Sequence, residues 1–318
     1  MRVGVVGCGR HATSVLLPAL IHLGFDVAVC SPRLSRAQAA AARFGARNAY
    51  DDLAKMTRSE DLEAVVACVP PQAYGTVIRQ CVEARLPIFA EKPGASGAAE
   101  AGDLAARSAD AGVPVMVGYM KRFAPAYARA RAVMAQPGFG APSLATFTFV
   151  MGDMGVDFES YLVDNPVHHL DLARHLLGEL HDLHVTRGRS RGGRHALTVA
   201  ARADSGAVVS LQLGSTGSWR QHNESVEVFG EGSSVLVDNV DTCVLRPPDG
   251  PEQRWTPNYT VPDEENSTLT TMGFGPELTH FRDVVRGAAC QSDMASAART
   301  LALVEEVKTQ LAVDRPAG

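Results

Sequence analysis

The sequence predicts an α/β protein in two parts, a parallel sheet flanked by helices followed by a mainly antiparallel sheet. Three observations carry this. Short β-branched runs alternate with Ala-rich helical stretches over residues 1–120. A glycine-rich turn closes the first of those runs. From about residue 141 the texture shifts to apolar/polar alternation broken by turn signals such as Asp204-Ser205-Gly206. Strand–helix repetition implies βαβ units and a parallel sheet. Alternation implies an antiparallel or mixed sheet with one covered face.

In the first part, strands are expected at 2–6, 26–30, 64–69, 87–90 and 113–117, with helices at 13–23, 33–44, 74–84 and 97–111. Right-handed crossovers place the strand C-termini along one edge, where such sheets bind ligands. Pro18 falls inside the first helix and should kink it. In the second part, strands are expected at 145–151, 195–203, 207–214, 225–229 and 234–237. His181 and His184 read as a surface turn entering a strand. One helix should span 165–177, with Pro166 at its first position and Gly178 as its stop. Two more helices are expected at 276–286 and 292–312, and 258–275 reads as a long loop, a candidate lid. The resulting division is residues 1–120 and 121–318.

A chain of 318 residues is long for one core, which agrees with two domains. A hydrophobic content of 46% and a charged content of 20% describe an ordinary globular protein. A net charge of -5 offers no basic footprint for nucleic acid, and no apolar run has the length of a membrane span. The first strand begins at once, with no signal-like segment before it. The six cysteines form no C-x-x-C pair. Both features lead to the expectation of a cytoplasmic protein with reduced thiols.

The first strand ends in Gly7-Cys8-Gly9-Arg10-His11-Ala12. Gly7 allows a tight turn, Gly9 lets a pyrophosphate approach the backbone, and Ala12 lets the helix pack close to the strand. Arg10 and His11 open the helix, whose free N–H groups and dipole favour phosphate. A glycine pattern alone arises by chance; strand before and helix after make this a dinucleotide loop. The second strand would ordinarily end in a carboxylate for the ribose 2′-hydroxyl. Here it ends in Cys30-Ser31-Pro32-Arg33. Ser31, Arg33 and Arg36 suit a 2′-phosphate, so NADP(H) is expected over NAD(H). The competing reading is two solvated arginines at a helix start.

Glu91-Lys92-Pro93 follows a later strand. A lysine over a strand C-terminus can stabilise a developing alkoxide, with Glu91 holding its ammonium. The competing reading is an exposed Lys–Glu pair of little energy. Asp164 precedes His168 by four residues around a helix start, so both are expected on one side. An imidazole exchanges protons near neutrality and suits general acid/base work. Against this stand a plain helix N-cap for Asp164 and a satisfied core histidine for His168. His169, Asp171 and His175 crowd the same helix, but the spacing supplies no third ligand, and no metal is expected.

These motifs carry a resemblance along nearly the whole chain. It resembles the glucose-fructose oxidoreductase / inositol dehydrogenase (Gfo/Idh/MocA) family. The resemblance rests on the glycine loop, Val69-Pro70-Pro71, Glu91-Lys92-Pro93 and Val117-Gly118-Tyr119-Met120-Lys121-Arg122-Phe123. It continues in Asp164-Asn165-Pro166-Val167-His168-His169-Leu170-Asp171 and Glu277-Leu278-Thr279-His280-Phe281. It implies an N-terminal Rossmann domain and a C-terminal α/β domain with a large open sheet, through which a homodimer or homotetramer forms. It implies hydride transfer between NAD(P) and a hydroxyl or keto carbon of a sugar, sugar derivative or cyclitol. Lys92 would polarise the oxygen, Asp164 would position substrate or imidazole, and His168 would move the proton. Val69, Pro70, Glu91 and Lys92 join the glycine loop as expected cofactor contacts. Beside what the resemblance implies, Tyr119, Arg122, Tyr161, Asn165, His169 and Trp219 are candidate substrate contacts, each with a purely structural role as the competing reading. Two positions depart from the family pattern: Tyr74 stands where His is frequent, and Pro166 where Gly is. Two rivals share the resemblance. One is a glycosidase that oxidises, eliminates and re-reduces. The other is a non-catalytic dinucleotide-sensing regulator, against which the retention of Lys92, Asp164 and His168 argues.

Overall fold

The computed structural model describes residues 1–188, 193–220, 223–257 and 267–313. They fall into two compact units, Met1–Met120 with Phe274–Leu301, and Lys121–Gly273 with Ala302–Gly318.

The first unit runs β1 (Arg2–Val6), α1 (Leu17–His22), β2 (Asp26–Cys30), α2 (Leu34–Phe44), β3 (Ala49–Tyr50), α3 (Leu53–Ser59), β4 (Ala64–Ala67), α4 (Tyr74–Glu83), β5 (Ile88–Glu91), α5 (Ala98–Ala111) and β6 (Val115–Gly118). All strand pairs are parallel, in the order β3-β2-β1-β4-β5-β6. Val3, Val5, Val65, Val66, Ile88 and Phe89 are fully buried, as expected for strands covered on both faces. The strand order reverses at β1, with β2 on one side and β4 on the other. Such a switch point opens a crevice at the strand C-termini, and the glycine loop lies there.

Near Pro18 the first helix is irregular: a wide π-type turn, Ala12–Leu16, leads into α1 with helical backbone angles kept at Leu16 and Leu17. The proline, which has no N–H to donate into the preceding turn, falls where the wide turn gives way to α1. The two-residue β3 and the short α3 carry too little periodicity to be seen in sequence.

The second unit comprises α6 (Pro125–Met134), β7 (Leu144–Val150), α7 (Phe158–Asp164), α8 (Pro166–Leu177), β8 (Leu180–Arg187), β9 (Ala196–Ala203), β10 (Val208–Gly214), β11 (Asn223–Phe229), β12 (Ser234–Asp238), β13 (Thr242–Arg246), β14 (Gln253–Trp255) and α9 (Thr268–Thr271). The strands form one sheet in the order β14-β13-β12-β11-β7-β10-β9-β8. β7 and β10 pair in parallel, with Phe147 opposite Leu211; the other pairs are antiparallel. Ala145, Phe147, Val209, Leu211 and Val226 fill the covered face, and α8 packs against β7 and β10. Thr146, Thr148 and Gln212 lie on the other face, half-buried or exposed.

Three expectations change here. His181 and His184 sit within β8, on either side of a register shift, not in a turn. Part of the expected 258–275 loop is the helix α9, capped by Ser267; residues 258–266 lie outside the described residues. The segment 121–318 is not a single unit, because α10 (Phe274–Val285) and the start of α11 (Met294–Val313) pack with the first. Phe281 meets Phe89 at 5.7 Å between ring centroids, and the Val117 N–H donates to the Ser292 carbonyl at 2.7 Å. Ser292 belongs to no regular strand, so its pairing with β6 leaves no sequence signature.

Candidate active site

The glycine loop has the shape its residues suggest. Gly7 adopts φ +100°, and its N–H donates to the Cys30 carbonyl at 2.8 Å. A Cβ there would overlap the Cys68 carbonyl, so only glycine fits between the ends of β1 and β4. A Cβ at Gly9 would meet nothing within 4 Å. Gly9, Arg10 and His11 are exposed, and Ala12 is fully buried under the helix. The loop therefore offers open backbone at a helix start, which fits a pyrophosphate.

His11 extends the loop toward the lysine motif. Its Nε2 lies 3.1 Å from Glu91 Oε1, and its ring centroid lies 5.9 Å from that of Phe274. Glu91 is buried at the end of β5, and its other oxygen accepts the Lys92 main-chain N–H at 3.1 Å. The carboxylate expected to hold the lysine ammonium thus binds the loop histidine and the lysine amide. Lys92 itself is half-buried, which rules out a plain exposed pair. Tyr74 is buried, and burial together with the nearby Glu91 charge pushes its phenol well above the ordinary value. The residue in place of the family histidine is therefore a neutral phenol. Val69 is half-buried and Pro70 exposed, just past β4.

At the end of β2, Ser31 is buried and donates its N–H to the Tyr50 carbonyl at 3.0 Å. Arg33 and Arg36 are exposed at the start of α2. Sequence reasoning missed two carboxylates here. The β2–β3 register sets Cys30 opposite Tyr50, which brings Asp51 and Asp52 to this edge. Burial, then the charges of Asp52, Cys8 and Asp51, push the Cys30 thiol up to about 12. Asp51 also pairs with Lys55 at 3.0 Å, and Asp52 caps α3. Burial likewise raises Cys8, and raises Cys68 to about 12, so the thiols around the loop stay protonated and unreactive.

In the second unit, Asp164 and His168 occupy two consecutive helices, not one. Asp164 is the last residue of α7, Asn165 breaks the path at φ −132°, and Pro166 opens α8. Proline lacks the N–H that would continue α7 and pushes its predecessor out of the helical region. The same-face argument and the N-cap reading of Asp164 both fall, since Asn165 holds the cap position. Asp164 is exposed and His168 is 9% exposed in the first turn of α8. The His168 N–H donates to the Asn165 carbonyl at 3.0 Å.

Two expected substrate contacts lie in buried pairs. Arg122 is buried and grips Asp171 with two guanidinium nitrogens, Nε at 2.7 Å from Oδ2. His169 is fully buried, stacked on Phe149 at 4.2 Å and 3.3 Å from Glu224. Burial lowers its pKa, so it sits neutral in the core. Glu224 also accepts from Lys121 Nζ and from the Tyr127 hydroxyl at 2.7 Å. Against the effect of burial, the Lys121 ammonium holds the Glu224 carboxyl well below the usual range. This cluster was not anticipated; a buried lysine facing a buried glutamate has no local signal. Tyr161 is fully buried beside His195, ring centroids 5.1 Å apart, and Tyr119 is buried too. Trp219 is exposed and Asn165 half-buried. Among the described residues no group of three or more His, Cys, Asp or Glu side chains is placed to hold a metal ion, and no helix is long and apolar enough to cross a membrane.

Residues 1–119 match the model of an oxidoreductase family with an NAD-binding Rossmann fold. The chain is 27% identical to the inositol 2-dehydrogenase of Mycolicibacterium gilvum over 335 residues, covering 99% of this chain and 93% of that one. It is 26% identical to the scyllo-inositol 2-dehydrogenase (NAD(+)) of Bacillus subtilis, covering 74% and 73%. In fold it is similar to a dehydrogenase from Chromobacterium violaceum, with a TM-score of 0.89 at 22% identity over 98% of this chain and 95% of that one.

Proposed function

We propose that this chain is a member of the Gfo/Idh/MocA oxidoreductase family and that it transfers a hydride between a nicotinamide dinucleotide and a hydroxyl or keto carbon of a sugar, sugar derivative or cyclitol. The observation that carries this is the His11–Glu91–Lys92 connection, in which the loop suited to pyrophosphate and the lysine turn share one buried carboxylate. The names of the inositol dehydrogenases similar to it supply the substrate class.

A bound dinucleotide would supply the hydride acceptor for the carbinol carbon. Gly7, Gly9, Arg10, His11, Ala12, Val69 and Pro70 would hold it. Lys92 faces the charge that develops on the substrate oxygen. His168 takes the hydroxyl proton on its imidazole, and Asp164 orients the hydroxyl or the ring. The shared task of Lys92, Asp164 and His168 rests on the family motifs they match.

At the ribose end, Ser31, Arg33 and Arg36 support NADP(H). Against it stand Asp51 and Asp52 beside β2 and the NAD(+) in the name of the Bacillus relative. Self-association as a dimer or tetramer is supported by the open face of the large sheet. There Val208, Leu144 and Phe229 are exposed in one cross-strand row.

Assaying myo-inositol, scyllo-inositol and common sugars with NAD and NADP tests the reading. Reduction of the dinucleotide by at least one ring alcohol is expected. No hydride transfer with any alcohol or keto form, in either direction, overturns it.

A further inference from the structure

Large aromatic side chains ordinarily end up buried, because the ring carries a large apolar area. Trp219 is 55% exposed, yet its ring is fixed. Its Nε1–H donates to the Asp153 carbonyl at 2.8 Å. The indole lies against Gly152, where any Cβ would overlap Cδ1, Cγ and Nε1. Glycine at 152 is what lets the ring rest on bare backbone.

The loops beneath it are fixed as well. They leave the C-terminal ends of the parallel pair β7 and β10 and continue its ladder. The Met151 N–H donates to the Gly214 carbonyl at 3.0 Å, and the Gly217 N–H to the Met151 carbonyl at 2.8 Å. Three residues further along the first loop, Met154 receives the Asn165 side-chain amide at its sulfur. Asn165 separates Asp164 from α8 and accepts the His168 N–H. A fixed, exposed indole therefore shares one stitched loop pair with the helix break that carries Asp164 and His168.

We infer that Trp219 is a stacking platform for the C–H face of a six-membered ring, and so restricts the substrate to cyclitols and pyranoses over open-chain polyols. The inference rests on the proposed roles of Asp164 and His168. The face of an indole is electron-rich and attracts the positive edges of neighbouring groups, which polarised ring C–H bonds supply. A ring with mostly equatorial hydroxyls presents a flat C–H face, and covering the indole with it removes apolar area from water. An open-chain polyol has no such face and must also lose torsional freedom to imitate one.

The test is calorimetric titration of myo-inositol, scyllo-inositol and D-sorbitol into protein saturated with NADH or NADPH, whichever the parent binds more tightly. Alcohol and dinucleotide are both reduced, so no turnover follows. The inositols should bind more tightly than sorbitol. Trp219→Ala should weaken the inositols on the order of tenfold and leave sorbitol unchanged, while Trp219→Phe keeps most of the affinity. Sorbitol binding as tightly as the inositols in the unmodified protein overturns the inference, as does an unchanged inositol affinity in Trp219→Ala. An equal loss for all three ligands marks a disturbed loop and overturns it too. A lower oligomeric mass of Trp219→Ala with unchanged affinities overturns it by making Trp219 an interface residue. If the protein oxidises inositols and only the Trp219 effect is missing, the proposed chemistry stands and the platform falls. If it oxidises sorbitol but no ring, hydride transfer stands and the platform falls. If it binds and oxidises none of them, both fall.

Discussion

His11 Nε2 stands 3.1 Å from Glu91 Oε1, so a side chain of the glycine loop is paired with the carboxylate that precedes Lys92. Removing one partner from a buried carboxylate leaves it under-satisfied. His11→Phe should therefore weaken dinucleotide binding by about tenfold, since the loop loses its anchor to β5. Glu91→Gln, which keeps an acceptor for the Lys92 amide, should weaken it less. Dinucleotide titration of both variants checks this. An unchanged affinity in His11→Phe would make the pairing incidental.

The Lys121–Glu224 ion pair lies in the core with Tyr127 and His169. Breaking a buried pair from one side costs roughly 3–5 kcal/mol. Lys121→Met should lose stability of about that size in urea unfolding at neutral pH. The Glu224 carboxyl titrates below its usual range, so its contribution is present above the unfolded carboxylate value and is lost as pH falls through the folded one. The gap between variant and parent should therefore narrow in acid. Equal stability at neutral pH would remove the cluster from the account.

The glycine loop, the lysine turn and the helix opened by Pro166 were legible because each is a local event with a local cause. Glycine is required where β1 and β4 converge, and proline stops α7 while starting α8. The relation of Asp164 to His168 was misread, because four-residue spacing describes a face only inside one helix. Lys121 and Glu224 stand 103 residues apart, and only the β11–β7 register and the burial of both reveal the pair. The return of 274–301 to the first sheet and the two carboxylates that follow β3 were illegible for the same reason. Both depend on tertiary pairing of segments too short or irregular to show a period.

At the ribose end, Ser31→Asp with Arg33→Ser should raise the preference for NAD(H) over NADP(H) relative to the parent. A carboxylate binds a 2′-hydroxyl and repels a 2′-phosphate. The ratio of kcat/KM with the two dinucleotides measures it. If the unmodified protein already prefers NAD(H), the basic side chains are solvated, and Asp51 and Asp52 become the groups to replace.

His175, on the α8 that carries His168, is driven down to about 3, first by burial and then by the charges of Arg122 and Arg131. Its folded value lies below its unfolded one. Above an unfolded value of about 6.5 it does not affect the pH dependence of stability. As pH falls from there toward 3, the unfolded chain takes up a proton that the folded chain refuses, and stability is lost. His175→Gln should flatten the fall of Tm between neutral and mildly acid pH. Parallel curves for parent and variant would contradict the assignment.

The most direct measurement is the pH dependence of alcohol oxidation by the parent, His168→Asn and His169→Asn, using the ring polyol that the parent oxidises fastest. Oxidation needs a neutral imidazole to accept the hydroxyl proton, so the parent rate should rise with pH through one ionisation. His168→Asn should lose orders of magnitude in rate together with that limb. His169→Asn, altered at a fully buried core position, should be less stable yet keep the limb. Loss of the limb in His169→Asn with its retention in His168→Asn would contradict the account, because the proton would then travel through the buried cluster. Retention in both would assign it to Lys92 or to water.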